Sequence, residues 1–118
     1  QRGNGYRDAV LAMTPLARKL LDVACEVSGY SAADVLSGCR KRPLPAVRYI
    51  VGDALMRAGY SSAMAARELG IDHATLLHGR KQMNDWKRSR GYDVEQNIKD
   101  VFNEQIQDVW KSMVKRQN

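Results

Sequence analysis

Apolar residues recur along this chain at helical spacing, broken by glycine, proline and small polar residues where helices begin and end. Thr14-Pro15 reads as an N-cap with proline at the first helical position, and Leu16, Leu20, Val23 and Val27 then fall on one face until Gly29 stops the helix. Ser31 followed by Asp34 resembles a capping box and opens a short helix through about Leu36. Ser37 to Pro45 holds Gly38, Pro43 and Pro45 around Arg40-Lys41-Arg42, a composition that predicts an exposed basic loop. Pro45 then starts a helix with Val47, Ile50, Val51, Ala54 and Leu55 facing inward and Gly59 ending it, which places Arg48 and Arg57 off the buried face.

From Ser61 the pattern becomes more specific. Ser61 or Ser62 caps a short helix in which Ala65, Ala66 and Leu69 pack inward; Gly70-Ile71-Asp72 makes a tight turn; and Asp72 caps a helix from His73 to about Met83. Two short helices joined by a glycine-containing turn have the spacing of a helix-turn-helix. Ile71, Leu76 and Leu77 are expected to lock the second helix to the core, leaving His73, Ala74, Thr75, His78 and Lys81 outward. Asn84 to Gly91 is polar and basic, and Trp86 within it is expected to pack on the domain's flank. A long helix follows from Asp93 to about Val114, with Val94, Ile98, Val101, Phe102, Ile106, Val109, Trp110 and Met113 on one stripe. That stripe is expected to cover the domain's own core; homodimerisation or docking to a protein partner is the alternative. The expected architecture is an all-α domain containing a helix-turn-helix, with an N-terminal extension over 1–13, the helical domain over 14–90 and the C-terminal amphipathic helix over 91–118.

At 118 residues, with 44% hydrophobic and 27% charged residues, the chain has the size and balance of one folded domain rather than of a disordered segment. No run approaches the roughly 20 apolar residues of a membrane span, so the cytoplasm is the expected compartment. Cys25 and Cys39 form no Cys-x-x-Cys pair and have no histidine at ligand spacing; both are expected to be reduced and partly buried. The net charge is +6, and between Arg40 and Arg90 eleven Lys or Arg face four acids, while the rest of the chain is close to neutral. Such segregation suits a polyanionic partner, although a basic face kept for solubility gives the same count.

The run Asp72-His73-Ala74-Thr75-Leu76-Leu77-His78-Gly79 resembles the signature of the DNA-binding C-terminal domain of the bacterial replication initiator DnaA, where an Asp-His-Thr-Thr-Val-Leu-His run opens the recognition helix. Upstream, Leu36 to Arg42 resembles that family's basic loop, and Arg48 falls where the family has the arginine of a Pro-Arg-Gln segment. The likeness runs from about Leu20 to Met83. It implies that Arg40 enters the minor groove and that Asp72, His73 and Ala74 meet base edges in the major groove. It also implies that Lys41, Arg42, Arg48, Thr75, His78 and Lys81 hold the DNA backbone. Ala74 stands where the family has threonine and Tyr49 where it has glutamine, and the turn before Asp72 lacks the family's Gly-Arg. The resemblance therefore implies a fold and a mode of binding rather than the family's target sequence.

The expected function is sequence-specific binding of double-stranded DNA by a nucleoid-associated transcription regulator, in the manner of a phage-gene regulator. An origin-binding domain of a replication initiator, and a helical protein-interaction module, are the alternatives. No phosphate-binding loop, nucleophile elbow or carboxylate cluster points to an enzyme or a cofactor. The five-residue spacing of His73 and His78 sets them more than about 100° apart around a helix, which argues against a shared metal.

Overall fold

A computed structural model describes residues 9–117, and within them the chain is all-helical. After a helical stretch at 9–12 come α1 (Pro15–Ser28), α2 (Ala32–Leu36), α3 (Leu44–Arg57), α4 (Ser62–Leu69), α5 (His73–Met83) and α6 (Asp93–Gln117). Residues 1–8 of the expected N-terminal extension lie outside the described residues, while Met13 at its end is buried in the core.

The helix starts follow the caps. The Thr14 hydroxyl accepts from the Ala17 amide, Ser31 from Asp34, Ser61 from Met64 and Asp72 from Ala74. Thr14 also joins two elements: its amide and hydroxyl donate to Glu68 Oε2 at 3.0 and 2.7 Å, and the hydroxyl meets the Tyr60 hydroxyl at 2.5 Å. The Glu68 carboxylate thus sits at the N-terminus of α1, where the helix dipole favours negative charge. Gly70, at φ 67°, takes the left-handed conformation that turns α4 into α5, and Ile71 donates back to the Ala66 carbonyl at 3.0 Å.

Helix α3 is the centre of the molecule and packs against the other five. Leu44, Ala46, Val47, Ile50, Val51, Gly52, Ala54 and Leu55 are all buried, as a helix apolar on nearly every side requires. Each fully buried large side chain contributes roughly 1.5–3 kcal/mol and each cap about 1 kcal/mol, so caps set where helices begin and packing sets which face turns inward.

Packing corrects several one-face expectations. In α1 the innermost residues are Ala17, Leu20, Leu21 and Ala24, while Leu16, Val23 and Val27 are half-buried on the margins. The fully buried Ala17 and Ala24 shift the inward line of the helix away from that of its larger side chains. In α5 the buried line is Leu76, Gly79 and Met83; Leu77 stays 39% exposed, because adjacent residues of a helix point about 100° apart. Helix α6 buries Ile98, Phe102 and Ile106 against α1 and α3, so its stripe covers the domain's own core. Val94 is exposed, and the position in register with that stripe is Glu95, only 3% exposed. Trp86 is buried on the flank as expected, its ring stacked on Tyr92 with centroids 6.5 Å apart. Cys25 is half-buried and Cys39 exposed, and both are free. Burial, followed by Asp22 and Asp34, pushes the Cys25 thiol up to about 11. No described helix is long and apolar enough to cross a membrane.

Candidate nucleic-acid interface

Two stretches that are distant in sequence border one open cleft of about 460 Å³, lined by Gly38, Arg40, Pro45, Arg48, Tyr49, Ile71, Asp72 and Thr75. One wall is the loop between α2 and α3; the other is the N-terminal end of α5, with α3 as the floor.

The approach of α5 to that floor depends on Gly79. A Cβ at Gly79 would overlap the Tyr49 ring, so the bare backbone lets α5 lie directly on α3. With Leu76, Gly79 and Met83 inward, the opposite line of the helix is Ala74, His78 and Lys81, and His73, Thr75 and Leu77 flank it, all exposed. Asp72 spends one carboxylate oxygen, Oδ2, on the Ala74 amide at 3.0 Å and is itself exposed. The amide nitrogen of Gln82 lies 3.2 Å from His78 Nε2.

The loop is built from polar contacts. The Ser37 hydroxyl donates to the Asp34 carbonyl at 2.7 Å and accepts from the Cys39 amide at 3.1 Å. Arg48, expected off the buried face, is only 5% exposed: its Nε donates to the Val35 carbonyl at 2.5 Å and its Nη2 to the Cys39 carbonyl at 2.6 Å. The reason is that Arg48 stands in register with the buried Leu44, Val51 and Leu55, on a side of α3 that α2 and the loop cover. Burial lowers the pKa of this guanidinium from its ordinary value. Arg42 does not line the cleft. Its Nε and Nη2 make a two-pronged ion pair with the Glu95 carboxylate of α6 at 2.7 and 2.8 Å, and Nη2 also donates to the Gly91 carbonyl. The guanidinium lies over the Tyr92 ring, 5.7 Å from its centroid. The hydrogen bonds and charge of Arg42 hold the Glu95 carboxyl below its usual range despite burial.

The charge sorts accordingly. Asp53 pairs with Arg57 at 2.9 Å and with Arg80 at 2.8 Å, tying α5 to α3, and Arg57 reaches Asn103 of α6 at 2.9 Å. With Arg42 and Arg48 also engaged, seven of the eleven bases between Arg40 and Arg90 are exposed and outside any ion pair among the described residues: Arg40, Lys41, Arg67, Lys81, Lys87, Arg88 and Arg90. Arg40 and Lys41 are the loop's two free cations. Against known protein families, characterised proteins and solved structures, the chain finds no match.

The structure therefore brings Arg40, Arg48, Asp72 and Thr75 to one cleft and sets His73, Ala74, His78 and Lys81 on the adjoining exposed face. It diverts Arg42 to α6. Among the described residues no three His, Cys, Asp or Glu side chains gather as a metal site. The sequence reading missed the Arg42–Glu95 link; the available signal was a charged residue standing in the register of Ile98, Phe102 and Ile106.

Proposed function

We propose that this chain binds double-stranded DNA sequence-specifically, laying α4 and α5 as a helix-turn-helix with α5 in the major groove while the Arg40 loop enters the adjoining minor groove. The observation that carries the reading is the shared cleft: a loop tipped by two free cations stands beside a capped helix end that turns Asp72, His73, Ala74 and Thr75 outward. This is the arrangement implied by the likeness of Leu36–Arg42 and Asp72–His78 to the DnaA DNA-binding domain.

In this reading Arg40 brings its charge to the negative potential of a narrow minor groove. Asp72, with Oδ1 uncommitted, accepts from cytosine N4; His73 donates to a base edge or packs on it; and the Ala74 methyl meets a thymine methyl. Lys41, Thr75, His78 and Lys81 hold phosphates and set the register. Arg42 and Arg48 act on the DNA backbone only indirectly, by fixing the loop. The chain serves as a transcription regulator, with the origin-binding domain of a replication initiator as the variant of this reading that the selected site distinguishes. A second reading, a helical interaction module, draws on an apolar groove of about 650 Å³ between α1 and α6, lined in part by Pro15, Leu16, Val109 and Met113.

Selection from a random duplex library, followed by anisotropy titrations across salt, tests the proposal. A defined site is expected, with log affinity falling against log salt at a slope of about −0.9 for each phosphate neutralised. Affinity indifferent to salt, or no enrichment of any sequence, overturns it.

A further inference from the structure

The loop carrying Arg40 is fastened on both sides. On its N-terminal side, Arg48 of α3 holds the Cys39 carbonyl. On its C-terminal side, Arg42 is held by Glu95 and by the Gly91 carbonyl, with Tyr92 beneath it. Between the two fastenings stand Arg40 and Lys41, the residues free to meet an anion. The second fastening does not come from the α2–α5 unit that forms the cleft. It comes from the first turn of α6 and the residues just before it, and these are braced by Tyr92 stacking on the buried Trp86.

We propose that Glu95 is a positioning residue for DNA recognition: through its two-pronged pair with Arg42 it fixes the loop so that Arg40 is presented in one place, which makes the start of α6 a working part of the binding face. The inference rests on the DNA-binding reading above. Three observations argue for it. Glu95 is nearly fully buried at a register position where α6 otherwise carries apolar side chains. A buried carboxylate is costly unless paired and hydrogen-bonded, and Arg42 meets both its oxygens. The pair also neutralises one of the loop's three adjacent cations, so the free charge is confined to Arg40 and Lys41 at the tip. A loop held in its binding geometry loses less freedom when it enters a groove, and so binds more tightly than the same residues on a loose loop.

The experiment uses the full chain with Glu95→Gln, which keeps shape and removes charge, and Tyr92→Leu, which strips the ring from beneath Arg42 at an exposed position. Amide exchange without DNA is expected to quicken about tenfold or more at residues 38–42 while α5 keeps its protection. On the selected duplex, Glu95→Gln is expected to weaken binding about tenfold, the scale of one lost groove contact, and Tyr92→Leu by less. In an Arg40→Ala background both losses are expected to shrink to a small remainder, because only the phosphate contact of Lys41 is then left to be positioned. Three results overturn the inference while leaving DNA binding standing: equal losses with and without Arg40, quickened exchange throughout α5 and α6, or tighter binding because a released Arg42 has found a phosphate. Absence of duplex binding by the unaltered chain overturns the DNA reading and the inference with it.

Discussion

The loop at 37–42 and helix α5 border the same cleft, yet they are held there by opposite means. Helix α5 is seated mainly by apolar contact, with the Arg80–Asp53 ion pair beside it: Leu76 and Met83 are buried, and the missing side chain at Gly79 lets the backbone meet the Tyr49 ring. The loop has almost no apolar seat. Arg48 and Arg42 place it with a handful of directed hydrogen bonds, one set rooted in the central helix and the other in the last. Packing of the first kind is shared among many atoms and fails only when volume is added or removed. Anchoring of the second kind depends on a few side chains, and losing Arg42 or Arg48 frees one side of the loop. The two halves of one face can therefore be altered separately.

The largest effect is expected at the apolar seat. Gly79→Leu forces a branched side chain against the Tyr49 ring and should cost about 3 kcal/mol, the upper part of the usual range for overpacking, read by urea unfolding. Adding Tyr49→Ala should recover a good part of that loss. If Gly79→Leu were as stable as the unaltered chain, α5 could not be seated as described.

A smaller cost is expected at the polar anchor. Arg48→Met preserves much of the stem and removes the donors, leaving the buried Val35 carbonyl unpaired, so about 1–3 kcal/mol should be lost. Its distinguishing mark is local: exchange should quicken at the loop well before α5. Uniform loss of protection in both would erase the contrast between the two regions.

The smallest change in stability is expected where the two roles of Asp72 are separated. Asp72→Ala removes the cap and should cost about 1 kcal/mol, whereas Asp72→Asn keeps an acceptor for the Ala74 amide and should lie within a few tenths of the unaltered chain. On the proposed DNA site the asparagine variant should nonetheless bind more weakly than the unaltered chain, through loss of the charged acceptor. Full affinity in Asp72→Asn would assign the residue to capping alone.

Much of the fold was legible because helix ends are written in local chemistry. Thr14, Ser31, Ser61 and Asp72 all cap as their positions suggested, and Gly29 and Gly70 end helices in the left-handed conformation. Less legible was anything that depended on how many neighbours a helix has. A one-sided pattern assigns Arg48 to solvent, but α2 and the loop cover that side of α3, and the partners of Arg48 are backbone carbonyls that carry no mark in the sequence. Leu76 and Leu77 are equivalent by composition; only Gly79 and Met83, in register with Leu76, indicate which of the two turns inward. The Arg42–Glu95 pair joins positions far apart along the chain, and periodicity has no access to such a contact. Of the candidate site, the exposed face of α5 could be read from spacing, whereas the division of the basic loop into two free and one committed cation could not.

The fit of Gly79 against Tyr49 also bears on descent. Two positions on different helices share one small volume, so position 79 cannot grow alone: a bulkier residue there becomes acceptable only after the ring at 49 has shrunk. In relatives of this protein a bulkier residue at 79 should be found only with a smaller one at 49, even where the exposed residues of α5 have diverged beyond recognition. An aromatic ring in α3 matched with a glycine in α5 is thus a heritable mark by which distant kin can be sought.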